Sequence, residues 1–195
     1  HKYIPELYKL RVRNFVVSEM APEFANLTDA NFLLVKDPLR ALQQLAIHHR
    51  KKFDIPVIGI TGSNGKTIVK EFLYQLLHTE FNIVRSPRSF NSQLGVPLSV
   101  WQINPKHTLG IFEAGISQPG EMQNLAKIIE PNIGVITSIG EAHGEGFLNI
   151  RQKINEKLRL FVKTGVLIYC ADNPDLNEAV NTFKNNVRSG DDFKL

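Results

Sequence analysis

Cysteine is almost missing from this sequence, since Cys170 is the single one among 195 residues. One thiol cannot form an internal disulfide or a thiolate metal cluster, so we expect a reducing compartment, the cytoplasm. Long apolar runs are also missing, because none approaches the roughly 18 residues that a membrane span needs. The 10 Pro and 13 Gly show no collagen-like or low-complexity bias, and 43% hydrophobic with 22% charged residues indicates a globular protein.

The chain also lacks a strong charge of one sign. Lys and Arg outnumber Asp and Glu by 23 to 19, which gives a net charge of +4. This small excess suits anionic ligands such as phosphates, but it is too weak to predict nucleic-acid binding. The sequence starts at His1 with no charged segment followed by an apolar one, so we expect no secretion signal and interpret it as a piece of a longer protein.

Residues 1–53 are predicted to be the end of a small α/β domain. Two short runs rich in β-branched or aromatic residues, 14–18 and 31–35, predict strands on either side of a polar segment. Asp37 followed by Pro38 is typical of a helix start, and leucines then recur at helical spacing. We expect this helix to connect to the next domain.

Residues 54–195 are predicted to form a second α/β domain. Residues 55–60 are an almost continuous apolar run, as expected of a strand buried on both faces. Further strands are predicted at residues 81–84, 109–112, 133–137 and 166–169, and helices at residues 68–77, 120–129 and 150–161. The alternation favours a three-layer α/β domain with a mainly parallel sheet, in which ligands bind at the carboxyl ends of the strands.

A Gly-rich loop follows the first strand of this domain and leads directly into a helix. Its residues are Thr61, Gly62, Ser63, Asn64, Gly65, Lys66 and Thr67. Glycines let backbone N–H groups approach an anion, and the start of a helix adds unpaired N–H groups and a positive dipole. Lys66 would neutralise the β- and γ-phosphates and the Thr67 hydroxyl would hold Mg²⁺, so the loop predicts nucleoside triphosphate binding in a P-loop NTPase-like domain. Only the Gly-Lys-Thr half of the generic pattern is met, and an ordinary Gly-rich turn is the alternative.

The loop and four later motifs resemble the Mur ligase family, which assembles the stem peptide of peptidoglycan. The later motifs are Phe-Asn-Ser-Gln-Leu-Gly-Val-Pro-Leu at residues 90–98, Glu-Ala-Gly at 113–115 with Gly-Glu-Met at 120–122, Thr-Ser-Ile-Gly-Glu-Ala-His at 137–143, and Glu-Lys at 156–157 with Leu-Phe at 160–161. The resemblance runs from about residue 10 to residue 172. It is strongest to the branch that adds D-alanyl-D-alanine, including a form fused to an alanine racemase.

The resemblance implies roles for three residues beside the phosphates. Glu113 would bind Mg²⁺ between the β- and γ-phosphates, a role that suits a hard carboxylate oxygen. His143 would help to bind a second Mg²⁺, although imidazole is not a preferred ligand of that ion. Lys157 would be carbamylated and become an anion near the second metal, which requires a neutral amine and therefore a lowered pKa. Spacing alone leaves Lys153, one helical turn earlier, as a competitor.

The resemblance also implies a substrate side. Asn91, Ser92 and Gln93 would contact a sugar nucleotide or peptide, although a turn rich in Asn and Ser is the alternative. Arg88 would meet a diphosphate or a carboxylate, or be solvated. Asp172 stands where family members approach the adenosine of ATP, and a turn with helix-capping residues explains it equally well.

By the same resemblance, residues 1–53 would be the end of an N-terminal domain that binds the UDP-linked substrate, and residues 54–195 would be an incomplete ATP-binding central domain. The complete protein would be an ATP-dependent ligase. ATP would phosphorylate the terminal carboxylate of UDP-N-acetylmuramoyl-tripeptide, and the amine of D-alanyl-D-alanine would then displace phosphate. Two alternatives stay open: another ligase of the superfamily, such as a folylpolyglutamate or cyanophycin synthetase, and a nucleotide-binding module without catalysis.

Three departures from the family pattern affect this interpretation. Ser138 stands where an Asn is usual beside the adenine, and Arg159 replaces an acidic residue that is common after the lysine. The family's C-terminal domain and the far end of its central domain lie outside residues 1–195. We therefore expect these residues alone to be inactive.

Overall fold

The computed structural model describes residues 2–140 and 146–189, apart from the side chains of residues 187–189. Its contacts divide the chain into two compact units, His1–Gln44 and Leu45–Leu195. The division falls inside a helix, and the predicted boundary after residue 53 lies beyond the end of that helix. The interpretation of the first unit as part of a substrate-binding domain stays a prediction. No helix within the described ranges is long and apolar enough to cross a membrane.

The first unit is built on a pair of parallel strands. It contains α1 (Ile4–Lys9), β1 (Asn14–Val17), a short 3-10 helix (Pro22–Asn26), β2 (Asn31–Leu34) and the start of α2 (Pro38–Arg50). The Phe32 ring stacks on Phe15 and Phe24, with centroids 5.4 and 5.1 Å apart, and closes a small core. Asp37 Oδ1 accepts hydrogen bonds from the amides of Leu39 and Arg40, so the predicted helix start is confirmed.

The second unit is a parallel sheet with helices on both faces. Its elements are β3 (Val57–Thr61), α3 (Lys66–Leu77), β4 (Ile83–Arg85), α4 (Gly95–Val100), β5 (Leu109–Glu113), α5 (Glu121–Ile129), β6 (Ile133–Ile136), α6 (Ile150–Leu158) with a 3-10 turn (Arg159–Phe161), β7 (Val166–Ile168) and α7 (Pro174–Ser189). The strand order is β4-β5-β3-β6-β7, and all neighbours are parallel. The predicted three-layer α/β fold is confirmed, with α1, α4 and α7 in addition to the predicted elements.

Two apolar cores hold the layers together and leave β3 in the centre. Every residue of β3 and β5 is buried, as the continuous apolar runs predict. Ile58 and Ile60 pack towards α3, whereas the larger core fills the opposite face. On that face Phe161 lies directly on the backbone of β6, because a Cβ at Gly134 would stand 2.5 Å from its ring. This contact fixes the end of the α6 segment, which carries Lys157.

Only part of the apolar surface of α3 is buried. Six apolar residues at two adjacent helical stripes predict one broad buried face. Only Val69, Leu73 and Leu77 pack against the sheet. Ile68, Phe72 and Leu76 are 61%, 61% and 73% exposed. A sheet covers about one stripe of a helix, so the second apolar stripe is left outside.

Candidate active site

The predicted phosphate loop connects the end of β3 to the start of α3, at the carboxyl edge of the central strand. Gly62 and Gly65 adopt φ angles of +147° and +82°, which glycine tolerates better than other residues. Thr137 Oγ1 lies 2.6 Å from the Asn64 carbonyl oxygen, and the Ser63 amide donates to the Ser138 carbonyl at 2.8 Å. The end of β6 therefore braces the loop and holds its shape.

Thr61 has a different position from the other loop residues. Its side chain is fully buried, and Oγ1 donates a hydrogen bond to the Ala114 carbonyl at 2.8 Å. The side chain thus joins the ends of β3 and β5 instead of facing the loop. A phosphate contact from Thr61 would have to come from its backbone.

Gly62→Ala should disrupt the phosphate loop. A Cβ at Gly62 would lie 1.9 Å from Thr137 Oγ1, and its φ of +147° strains any residue with a side chain. We expect a destabilisation of about 1–3 kcal/mol, with loss of nucleotide affinity. Thermal unfolding and the binding of a fluorescent ATP analogue would measure the two effects.

Gly120→Ala is the matched control for that substitution. Gly120 also has a left-handed φ, +87°, but a Cβ there meets nothing within 4 Å. The control should lose stability through backbone strain and keep its nucleotide affinity. Equal losses of affinity in both variants would show that the fit of Gly62 against Thr137 is not needed for binding.

Glu113 lies directly beside the phosphate loop. It ends β5 and is paired in register with Ile60 of β3. Its carboxylate is fully buried, and Oε2 accepts a hydrogen bond of 3.1 Å from Thr67 Oγ1. A hydroxyl and a carboxylate oxygen that converge at the start of α3 are hard ligands of the kind Mg²⁺ prefers.

The metal ligands that the protein offers here are few. Residues 2–140 and 146–189 contain no group of three or more His, Cys, Asp or Glu that could hold a metal ion. Mg²⁺ is usually held by one or two carboxylates together with substrate phosphates and water, so Thr67 and Glu113 are compatible with it. His143, the predicted second ligand, lies outside the described residues.

Two lysines converge on one carbonyl of the phosphate loop. Lys66 Nζ donates to the carbonyl oxygens of Gly62 at 2.9 Å and Ser63 at 3.2 Å. Lys157 Nζ, on α6, donates to the same Gly62 oxygen at 3.2 Å. Burial lowers the pKa of Lys66, although the nearby Glu113 carboxylate opposes the effect. Lys66 places positive charge at the loop, as a polyphosphate site requires.

Lys157, and not its competitor Lys153, contacts the loop. Lys157 is only 3% exposed, and burial together with the charges of Lys66 and Lys153 lowers its pKa to about 7. Lys153 is partly exposed, and its charge lowers the pKa of Lys157. Glu156 fixes the helix between them, because Oε1 accepts from the amides of Gly120 and Met122 at 2.8 and 3.1 Å.

Comparison with known proteins identifies the family. The family model described as the Mur ligase middle domain matches residues 60–191. This chain belongs to the Mur ligase family. The predicted recognition is therefore confirmed.

Individual relatives narrow the place of this chain among the Mur ligases. The UDP-N-acetylmuramoyl-tripeptide–D-alanyl-D-alanine ligase of Treponema pallidum (strain Nichols) is 43% identical over 126 residues, which cover 64% of this chain and 27% of the relative. The ligase of the same name from Bacillus subtilis (strain 168) is 38% identical over 151 residues, 75% of this chain and 33% of the relative. The chain thus spans about a third or less of the length of these relatives.

A solved structure of a ligase from the same family has a similar fold. The MurF ligase from Thermotoga maritima in complex with ADP superposes with a TM-score of 0.77 at 26% sequence identity. The match covers 89% of this chain and 47% of that one. It confirms the fold of this Mur ligase segment.

The predicted substrate residues of this Mur ligase chain follow β4 in one loop. Asn91 accepts a hydrogen bond from the Gly115 amide at 2.8 Å through its carbonyl oxygen. Ser92 Oγ accepts from the Gly95 amide at 3.1 Å at the start of α4, and Gln93 Nε2 donates to the Glu121 carbonyl at 3.2 Å. The Ser92 and Gln93 side chains and the Asn91 main chain therefore shape the loop, and contact of these residues with substrate stays a prediction.

The remaining predicted residues lie at the edges of the site. Arg88 has a left-handed backbone with φ +47°. Asp172 is exposed in a turn after β7, and Asn173 Oδ1 accepts from the Leu176 amide at 3.0 Å, which caps α7. The capping alternative is thus observed for this turn. Arg159, which departs from the family pattern, lies with its Nε 3.3 Å from Glu156 Oε2. The neighbouring carboxylate therefore compensates the charge of its guanidinium group.

Sequence reasoning missed Lys70. This lysine is completely buried and lies 2.9 Å from Glu113 Oε1 through its Nζ. The two charged groups form an ion pair, and their geometry is not that of a hydrogen bond. The signal was present in the helix, because Lys70 shares one stripe with Lys66, Leu73 and Leu77 at i, i+4, i+7 and i+11. A search for apolar periodicity alone overlooks a lysine in that stripe.

Proposed function

We propose that this chain is the ATP-binding part of a ligase that joins D-alanyl-D-alanine to UDP-N-acetylmuramoyl-tripeptide. The observation that carries the proposal is the convergence of Lys66, Glu113 and Lys157 on one braced phosphate loop. A site that only bound nucleotide would need the loop and Lys66, but not a buried carboxylate and a second buried lysine. The names of the curated relatives support this acceptor over the folylpolyglutamate or cyanophycin alternatives.

The proposed reaction activates a poor electrophile. A carboxylate oxygen of the tripeptide attacks the γ-phosphorus of ATP, the bond to the β-phosphate oxygen breaks, and ADP leaves. The amine of D-alanyl-D-alanine then attacks the acyl phosphate, and phosphate leaves with formation of the amide. Lys66 and the N-terminus of α3 would stabilise the negative charge of the phosphoryl group during transfer. Thr67 and Glu113 would hold Mg²⁺, which neutralises phosphate charge when bound.

Lys157 would serve the same site in a modified form. A substantial share of its amine is neutral near pH 7, because burial and two neighbouring lysines lower its pKa to about that value. A neutral amine reacts with CO₂ to give a carbamate and one proton. The resulting anion, with His143, would supply ligands for a second Mg²⁺ ion. We include Asn91, Ser92, Gln93 and Arg88 as contacts of the UDP-linked substrate, and Asp172 as a contact of the nucleotide.

The proposal is tested by measuring ADP release from the full-length protein with UDP-N-acetylmuramoyl-tripeptide and a panel of acceptors. D-Alanyl-D-alanine, L-alanine, L-glutamate and L-glutamate with a folate form the panel, and mass spectrometry identifies the product. We expect ADP and UDP-N-acetylmuramoyl-pentapeptide only with D-alanyl-D-alanine. Turnover with glutamate and a folate would favour the folylpolyglutamate alternative, and nucleotide binding without turnover would favour a non-catalytic module. A cytoplasmic location and fusion to an alanine racemase stay predictions.

A further inference from the structure

Lys70 is a charged side chain without solvent-exposed surface. Lysine is almost never fully buried unless it is paired, and Lys70 is 0% exposed. Its ammonium lies 2.9 Å from Glu113 Oε1, donates to the Ser86 carbonyl at 2.8 Å and also donates to the Arg88 carbonyl. It also lies 3.3 Å from the partly exposed carboxylate of Glu71, so Lys70 acts through the protein groups that it holds.

The groups that Lys70 holds belong to two sides of the site. Glu113 contacts Thr67 at the phosphate loop. Ser86 and Arg88 begin the 86–93 loop, which continues into the predicted substrate residues. Lys70 itself is on α3, the helix that starts at the phosphate loop. One ammonium therefore joins the nucleotide side to the 86–93 loop.

Two further features strengthen this connection. Ser86 Oγ accepts a hydrogen bond from the Glu113 amide at 3.1 Å, which ties the start of the loop to the end of β5. Arg88 has φ +47°, a conformation that is uncommon for a residue other than glycine and persists only when its surroundings hold it. The charge-assisted hydrogen bond from Lys70 to the Arg88 carbonyl supplies such a restraint.

We propose that Lys70 is a positioning residue that couples the 86–93 loop to the Glu113 carboxylate, so that binding on the substrate side changes the affinity for nucleotide. By thermodynamic reciprocity, nucleotide changes the affinity for the UDP-linked substrate by the same factor. The identity of the two ligands rests on the proposed function. A lysine that only neutralised Glu113 would affect nucleotide affinity and leave this coupling intact.

Calorimetric titration of the full-length protein tests the coupling. A non-hydrolysable ATP analogue with Mg²⁺ is titrated alone and with saturating UDP-N-acetylmuramoyl-tripeptide. In the parent protein the two dissociation constants should differ by at least about fivefold. In Lys70→Met, which keeps the unbranched stem of the side chain but loses its ammonium group, the ratio should approach one. Lys127→Met removes an exposed lysine from α5 and should keep the parent ratio.

The outcomes separate the inference from the proposed function. A parent ratio of one, or an unchanged ratio in Lys70→Met, overturns the coupling while both ligands still bind. If the parent protein does not bind the UDP-linked tripeptide at all, the proposed function fails, and the coupling fails with it.

A second measurement does not depend on the folding of a variant. Lys70→Met leaves the buried Glu113 carboxylate without its cation, which is strongly destabilising. Hydrogen exchange of the parent protein should therefore be measured with and without the Mg²⁺–nucleotide analogue. Amides of the 86–93 loop should exchange more slowly when nucleotide binds, although no UDP-linked substrate is present. Unchanged exchange in that loop would contradict the coupling even if the variant cannot be purified.

Discussion

Lys66→Ala is expected to lower the rate of ADP release by the full-length protein about 10²–10³-fold. Lys66 Nζ lies inside the phosphate loop, within 3.2 Å of the Gly62 and Ser63 carbonyl oxygens, where it would neutralise the transferring phosphoryl group. Removal of a single preorganised donor to developing charge costs about 10²–10³ in kcat. Steady-state ADP release with saturating UDP-N-acetylmuramoyl-tripeptide and D-alanyl-D-alanine measures the loss.

Two comparisons isolate the phosphate role of Lys66. Lys127→Ala removes an exposed lysine of α5. It should leave turnover within about twofold, because substitutions on the surface and away from the phosphate loop have small effects. Lys66→Arg should also be impaired, since a planar guanidinium does not replace a compact ammonium at a confined site. Normal turnover of Lys66→Ala would rule out the assignment of this loop to ATP.

The fold and the phosphate loop could be predicted because their signals are local. The buried strand before residue 61, the Gly-Ser-Asn-Gly turn and the helix after it follow one another along the chain. Parallel pairing then brings Glu113 beside that turn through the register with Ile60. The end of a strand and a carboxylate are both visible in the sequence. The parallel topology of βαβ units then brings the carboxyl ends of the strands to one edge of the sheet.

The environment of individual side chains could not be predicted in the same way. Lys70 looks like a solvated helix residue until α3 is placed on the sheet, where it meets Glu113 from another strand. Conversely, Phe72 looks like a core residue but is 61% exposed. The Ser92 hydroxyl accepts from the Gly95 amide, a contact that the sequence motif does not show, and its role towards substrate stays a prediction. These outcomes depend on which stripe of a helix or which end of a loop meets the sheet, and tertiary contacts decide that.

Lys157→Ala should reduce turnover by about 10²-fold, because the site loses the anion that a carbamate would place near the second metal. A short carboxylate such as formate or acetate should restore part of the activity by occupying the space of the missing side chain. The matched control is Lys153→Ala, on the same helix one turn earlier. Its partly exposed lysine does not contact the loop in the described residues, so we expect a smaller loss and no rescue.

The pH dependence follows from the lowered pKa of Lys157. Its ammonium form predominates below a pH of about 7 and its neutral amine above it, because burial and the charges of Lys66 and Lys153 disfavour the cation. Only the amine adds CO₂, and each carbamate releases one proton, so both acid and removal of CO₂ shift the equilibrium towards the free lysine. Activity should therefore fall as the pH drops below about 7 and recover when bicarbonate is added.

A direct observation separates the carbamate from other roles of a buried lysine. The full-length protein in ¹³C-bicarbonate should show a carbamate resonance that is lost in Lys157→Ala and kept in Lys153→Ala. A lysine that only held the Gly62 carbonyl would give no such resonance. The activity of Lys157→Ala would then not recover with added carboxylate. If the resonance follows Lys153 instead, the family role belongs to that residue, and the contact between Lys157 and the phosphate loop is structural.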